Sequence, residues 1–96
     1  MRVRVDDLGA WIENHHDFAR FDLATDLDND ELDRMLRGAD AGRWDGDHGW
    51  IRRSWIRESV DDASHRWNEQ FEEMIGYAAR QGWVSADGEV RVHRNR

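Results

Sequence analysis

Valine and arginine alternate over residues 1–5, the period-2 pattern of a short edge strand with one apolar side. From residue 7 the spacing changes. At 100° per residue Leu8, Trp11, His15, Phe18 and Ala19 share a face, Ile12 flanks it, and Glu13, Asp17 and Arg20 lie opposite. That arrangement predicts a helix over 7–20, capped by Asp6 or Asp7. A second helix starts at Asp28, where Glu31 completes an Asp variant of the capping box and Leu27 and Leu32 take the staple positions. Leu32, Met35 and Leu36 form its apolar stripe, and Gly38 ends it. Residues 38–49 hold Gly38, Gly42, Gly46 and Gly49 among aspartates and read as a loop.

Trp50-Ile51 and Trp55-Ile56 repeat an aromatic–aliphatic pair every five residues, a spacing that matches neither regular element; a helix over 48–58 is the expectation. Ser59 is expected to cap a long helix over 60–81, with Asp61 and Asp62 in its first turn. Val60, Ala63, Trp67, Phe71, Met74 and Ala78 fall in one arc with Ile75 beside them, while Asp62, His65, Glu69, Glu72, Glu73 and Arg80 cover the far side. Gly82 stops this helix. Trp83–Ala86 and Glu89–Val92 then flank Asp87-Gly88, a pair suited to a type I′ hairpin. The pattern as a whole predicts one small α+β domain over residues 1–96, mostly α. About four helices are closed by a small terminal antiparallel β-sheet, the N-terminal strand plus the C-terminal hairpin.

Six tryptophans stand in a chain that is 36% charged and has no cysteine and no proline. Fully buried, an indole removes roughly 200 Å² from water, worth about 5 kcal/mol. Whether each one is core or surface is therefore the main functional question. The lack of cysteine excludes a disulfide framework and a thiolate zinc site. The apolar runs are too short to span a bilayer, and Met1–Val5 lacks the apolar stretch of a signal peptide. The expectation is a soluble, cytoplasmic protein without a membrane partner. All 14 basic residues are arginine, a bias suited to a GC-rich bacterial genome. The net charge of −7 argues against nucleic-acid binding, which needs a positive face, and favours steering toward a basic partner. A chain this short buries only about 60–65% of its unfolded surface, so a homodimer is the expected way to cover what remains.

The densest constellation is Arg43, Trp44, Trp50, Arg52, Arg53, Trp55 and Arg57. It gathers guanidinium and indole in an acidic chain, a combination suited to carboxylate recognition, stacking and interface anchoring. The competing reading has these tryptophans in the core and these arginines answering the acidic helices. His15 is the candidate general base, placed on the apolar side of its helix where a cleft would tune it. Adjacent His16 points about 100° away, so the two do not chelate together. Asp62, His65 and Glu69 have helical metal-ligand spacing but lie on the polar face. Asp26, Asp28 and Asp30 alternate like a calcium loop, yet Glu31 replaces the required glycine. No phosphate cradle or nucleophile elbow is present. No metal and no cofactor are expected.

Two local resemblances bear on function. Trp44-Asp45-Gly46 is similar to the turn of the small Trp-x-Gly secretion substrates, which are helical hairpins, but the strand-like ends and the break at 21–29 depart from that plan. Gly76–Val92 resembles the last helix and wing of a winged-helix domain. Here that helix would offer Glu69, Glu72 and Glu73 to phosphates, so the resemblance implies protein contact and not DNA reading. The function expected from the sequence is a non-catalytic protein- or peptide-binding module of immunity, inhibitor or adaptor type. It would take a basic or extended partner on the Trp/Arg surface. The alternative is a small tailoring enzyme, acting on a peptide or metabolite, with His15 as base.

Overall fold

The alternation of Val3 and Val5 does not stop at residue 5. In the computed structural model, which describes residues 1–61 and 64–95, Asp6-Asp7-Leu8-Gly9 reverses the chain, and Asp6 accepts the Leu8 N–H at 2.7 Å. The alternation then resumes in Ala10 and Ile12. Strands β1 (Arg2–Asp6) and β2 (Gly9–Glu13) pair antiparallel, with Val3 opposite Ile12 and Val5 opposite Ala10. The helix expected over 7–20 is thus a hairpin arm followed by a turn. Cross-strand partners outweigh a helical spacing that Leu8, 88% exposed at the hairpin tip, had helped to suggest. Asn14, at φ 53°, ends β2, and Asp17 N–H closes the following turn on Asn14 O at 3.0 Å.

The break expected at 21–29 contains β3 (Asp22–Thr25), whose four residues are too few to register as a period. Helix α1 (Asn29–Gly38) follows as the capping pattern predicts: Asp28 Oδ1 accepts Glu31 N–H at 2.8 Å. The glycine-rich loop conceals β4 (Gly42–Trp44), which pairs with β5 (Gly49–Arg52). Helix α2 (Arg53–Ser59) starts immediately after β5. The five-residue Trp-Ile repeat fits no single period because it straddles this boundary: Trp50-Ile51 lie on the strand and Trp55-Ile56 on the helix.

The long helix is α3 (His65–Arg80), capped by Ser64, whose Oγ accepts Trp67 N–H at 3.1 Å. Ser59, expected to cap this long helix, is instead the last residue of α2. The places foreseen for Asp62 and Ala63 lie outside the described residues. At the C-terminus the turn at Gly88 forms, at φ 80°, but its first arm is reduced to a single bridge, Val84 to Val90. Its second arm lengthens into β6 (Glu89–Asn95).

The described residues form three helices and a six-stranded mixed sheet, in the order β2-β1-β3-β6-β5-β4, and not the mostly helical domain of about four helices that was expected. The N-terminal strand does not join the C-terminal hairpin. β3 stands between β1 and β6 and pairs parallel with both. The sheet curls, so that α1 touches β1 and β2 on one side and β4 on the other, while α2 touches β5 and β2.

The registers sort the strand residues onto two faces. Val3, Val5, Ile12, Leu23, Ile51, Val90 and Val92 share the inner face, and most of them are fully buried. They form one core with Leu32 and Leu36 of α1, Ile56 of α2, and Trp67, Phe71 and Ile75 of α3. The outer face carries Arg2, Arg4, Trp11, Asp22, Arg43, Trp50, Arg52, Glu89, Arg91 and His93. Among the described residues no helix is long and apolar enough to cross a membrane.

Gly42 sets the β4–β5 join. At φ 154° a Cβ there would lie 1.9 Å from Trp50 O, so only hydrogen fits between the strands. Gly42→Ala is expected to cost at least ~2 kcal/mol, read as a lower denaturation midpoint accompanied by a change in Trp50 fluorescence.

Candidate functional site

The six tryptophans divide into three environments. Trp67 and Trp44 are core residues, 2% and 8% exposed. Trp67 stacks on Phe71 with ring centroids 5.0 Å apart and donates its indole N–H to His15 O at 2.8 Å. Trp44 is fixed through its backbone, whose N–H donates to Asp33 Oδ1 at 2.9 Å. Trp55 and Trp83 are half-buried and pack against the core. Trp11 and Trp50 belong to the outer face and are not part of the core cluster.

This division separates the Trp/Arg constellation read from the sequence. Arg43, Trp50 and Arg52 come together on the outer face. Trp44 turns inward, Trp55 sits on α2 against the core, and Arg57 pairs with Glu72 while lying 5.5 Å from the Phe71 ring. Arg53 is exposed at the start of α2, where its backbone N–H reaches Gly88 O at 3.4 Å. The outer-face trio is already engaged within the chain. Arg43 lies over the Trp50 ring at 5.2 Å and pairs with Glu89 at 3.1 Å. Arg52 pairs with Asp40. The Trp50 indole N–H donates to Asp45 Oδ2 at 2.8 Å.

Asp45 is the organiser of that end. The N–H groups of His48 and Asp47 and the Trp50 indole all donate to it, at 2.8–2.9 Å. These bonds, led by the one from His48, hold its carboxyl at about 2, below the ordinary 3.8. Across the sheet Asp22 is lowered as well, first by its hydrogen bond from Arg2, against the opposing effect of burial.

His15 does not lie on a helix. It occupies the turn after β2, with its ring 4.1 Å from that of His16, in an open depression lined by Asn14, His15, His16 and Asp17. Its backbone carbonyl, as acceptor for Trp67, is what ties it to the core. On α3, His65 Nε2 stands 2.7 Å from Glu69 Oε1, both exposed; Asp62, the third member of that spacing, is outside the described residues. Among the described residues no group of three or more His, Asp or Glu is placed to hold a metal ion.

Two features escaped the sequence reading. The first is the edge of β2. Asp22 N–H donates to Met1 O at 3.3 Å, so Met1, Val3 and Val5 direct their backbone groups to β3, and Arg2, Arg4 and Asp6 direct theirs to β2. Gly9, Trp11 and Glu13, opposite these three, therefore turn toward β1. The N–H and C=O groups of Ala10 and Ile12 point away, where no described strand runs. Continuing the Val3/Val5 alternation into Ala10/Ile12 was the signal that would have shown it. The second is a slot of about 220 Å³ where β6 changes neighbours, walled by Phe18, Phe21, Met74, Tyr77 and Trp83 with Arg91 and His93 at its polar side.

Comparison with protein-family models, curated proteins and solved structures gives no match. Function rests on this geometry alone.

Because Asp45 is stabilised as the anion, its contribution to stability is present above the ordinary carboxylate value and is lost as pH falls toward 2. A carbon-detected NMR titration is expected to place the Asp45 midpoint near 2. Asp45→Asn should flatten the fall in stability between about pH 4 and pH 2 and release the Trp50 indole.

Proposed function

We propose that this chain is a non-catalytic binding module that takes an extended, basic segment of a protein partner as an added strand along β2. The unpaired outward edge at Ala10 and Ile12 carries the reading. Natural sheets blunt such edges with charge, proline or a covering element, yet Gly-Ala-Trp-Ile-Glu is proline-free and carries its one charge, Glu13, only at its end. Main-chain bonds of this kind supply affinity, and side chains on alternate positions supply selectivity.

Charge and aromatic character set the partner's chemistry. Trp11 is 39% exposed on the outer face, between Glu13 and the Asp6-Asp7 turn. Arg4, opposite Trp11 in the register, is the nearby cation, because Arg2 is held by Asp22 at 3.0 Å. Three carboxylates against one uncompensated guanidinium, on a chain of net charge −7, favour a cationic segment. A lysine or arginine at the position facing Trp11 would lie over its ring. The anchor thus moves from the seven-member Trp/Arg cluster expected from the sequence, which the fold divides among strand face, core and helix α2, to Trp11. The homodimer expected from the sequence would use this same edge and is the competing occupant.

The probe is a blocked nine-residue peptide alternating arginine and valine, with an aspartate–valine peptide as control. The arginine peptide is expected to bind and to weaken as salt rises, while the aspartate peptide does not. Trp11→Ala should weaken binding about tenfold. Ala10→Pro removes an outward N–H without touching the β1 ladder, so it should abolish binding and keep the thermal midpoint. Equal binding of both peptides, or full affinity in Ala10→Pro, would overturn the proposal. Sedimentation of the free chain separates out a second copy: a dimer dispersed by Ala10→Pro would assign the edge to self-association instead.

A further inference from the structure

The slot beside β6 has an origin in the topology. The first half of β6 is bordered by the short arm at Trp83 and Val84, with Arg91 N–H donating to Trp83 O at 2.8 Å. The second half is bordered by β3, which starts at Asp22 opposite His93. Between these neighbours the sheet is interrupted. The loop carrying Phe18 and Phe21 and the C-terminal half of α3 carrying Tyr77 wall the interruption without filling it.

The chemistry of the walls is selective. Apart from Arg91 and His93 they are apolar and aromatic, and among the described residues none that lines the slot is acidic, although 21 of the 96 residues of the chain are Asp or Glu. Arg91 lies over the Trp83 ring at 5.3 Å and has no ion-pair partner among the described residues. Of the carboxylates on the same face of the sheet, Glu89 is engaged by Arg43, and Asp22 by Arg2 and Asn95. Stacking fixes the guanidinium while leaving its N–H fork open to a carboxylate. A second cation, Arg20, lines the adjoining depression, which shares Phe21 and His93 with the slot. A volume of about 220 Å³ is below the roughly 300–1,000 Å³ of drug-sized sites. It suits one ring and a short acid arm.

We infer that this slot is a binding site for an aromatic monocarboxylate, the ring held among Phe18, Phe21, Tyr77 and Trp83 and the carboxylate on Arg91. The site is separate from the β2 edge, so its failure and the failure of strand addition are read independently. The same chemistry occurs in a free aryl acid and in a peptide ending in phenylalanine.

Calorimetric titrations with 3-phenylpropanoate, its neutral amide, propanoate, and a short peptide ending in free or amidated phenylalanine test the assignment. An acid that binds about tenfold or more tighter than its own amide is the expected result, and propanoate, lacking the ring, should not compete. Whichever acid is tighter, the free aryl acid or the peptide, names the source. Arg91→Gln should remove the preference for acid over amide, with an unchanged melting temperature. Arg52→Gln, on the outer face away from the slot, should leave the affinities as they were. Amides that bind as well as acids, an unaltered preference in Arg91→Gln, or no binding by any acid at roughly millimolar concentration would overturn the inference. If Arg91→Gln proves unstable, Ala19→Phe at the exposed rim provides a second variant, which should exclude the ring while Arg91 stays in place.

Discussion

The parallel pairing of β3 with β6 is the joint on which this molecule depends. Two antiparallel sets, β2 with β1 and β6 with β5 and β4, become one sheet through Asp22, Leu23 and Ala24 lying beside His93, Arg94 and Asn95. Leu23 is fully buried at this joint. Polar groups brace its rim: Arg2 and Asn95 converge on Asp22, and Arg94 donates to Leu27 O at 2.6 Å. Because β3 occupies one side of β1, β2 has only the other side and becomes an edge. Because β3 begins only at Asp22, the first half of β6 lacks a full neighbour there. The open edge and the slot are both consequences of the same short strand.

A single core serves all three helices, which explains how so polar a chain folds. The inner face receives the fully buried valine, leucine and isoleucine side chains of the strands, and Trp67 and Phe71 of α3 complete it. The other side of the sheet is then left with arginine, carboxylate and two indoles. On β4 and β5 these groups satisfy one another, since Asp45 holds Trp50 and Glu89 holds Arg43. On β2, Trp11 is 39% exposed beside a backbone edge that no described strand pairs. The contrast between these two tryptophans separates an internally completed surface from one suited to a partner.

What the sequence revealed, and what it concealed, follows from the range of the interactions involved. Asp28, Glu31, Leu32 and Leu36 announce α1 because caps and stripes are local. Trp67, Phe71 and Ile75 announce most of α3 for the same reason, with its start misplaced from Ser64 to Ser59. Val3 and Val5 announce β1. By contrast, Ala10 and Ile12 become strand residues only opposite Val5 and Val3, and Leu8, Trp11 and His15 fit a helical wheel equally well. β3 and β4 are too short to carry a period and exist through their neighbours. At the site, the residue types were legible and their placement was not: the same seven-member Trp/Arg cluster is divided among strand face, core and helix α2, while Arg91 and His93, distant in sequence from Phe18 and Phe21, meet them only through the β3–β6 joint.

The state of the β2 edge is the measurement that decides most. In the free protein at a concentration where it is monomeric, amide hydrogen exchange of Trp11, paired to Arg4 across the β1 ladder, should be slow, while Ala10 and Ile12 exchange rapidly. Protection of Ala10 and Ile12 equal to that of Trp11 in the monomer would mean that the edge is already covered, and it would contradict the account of β2 as an open docking strand.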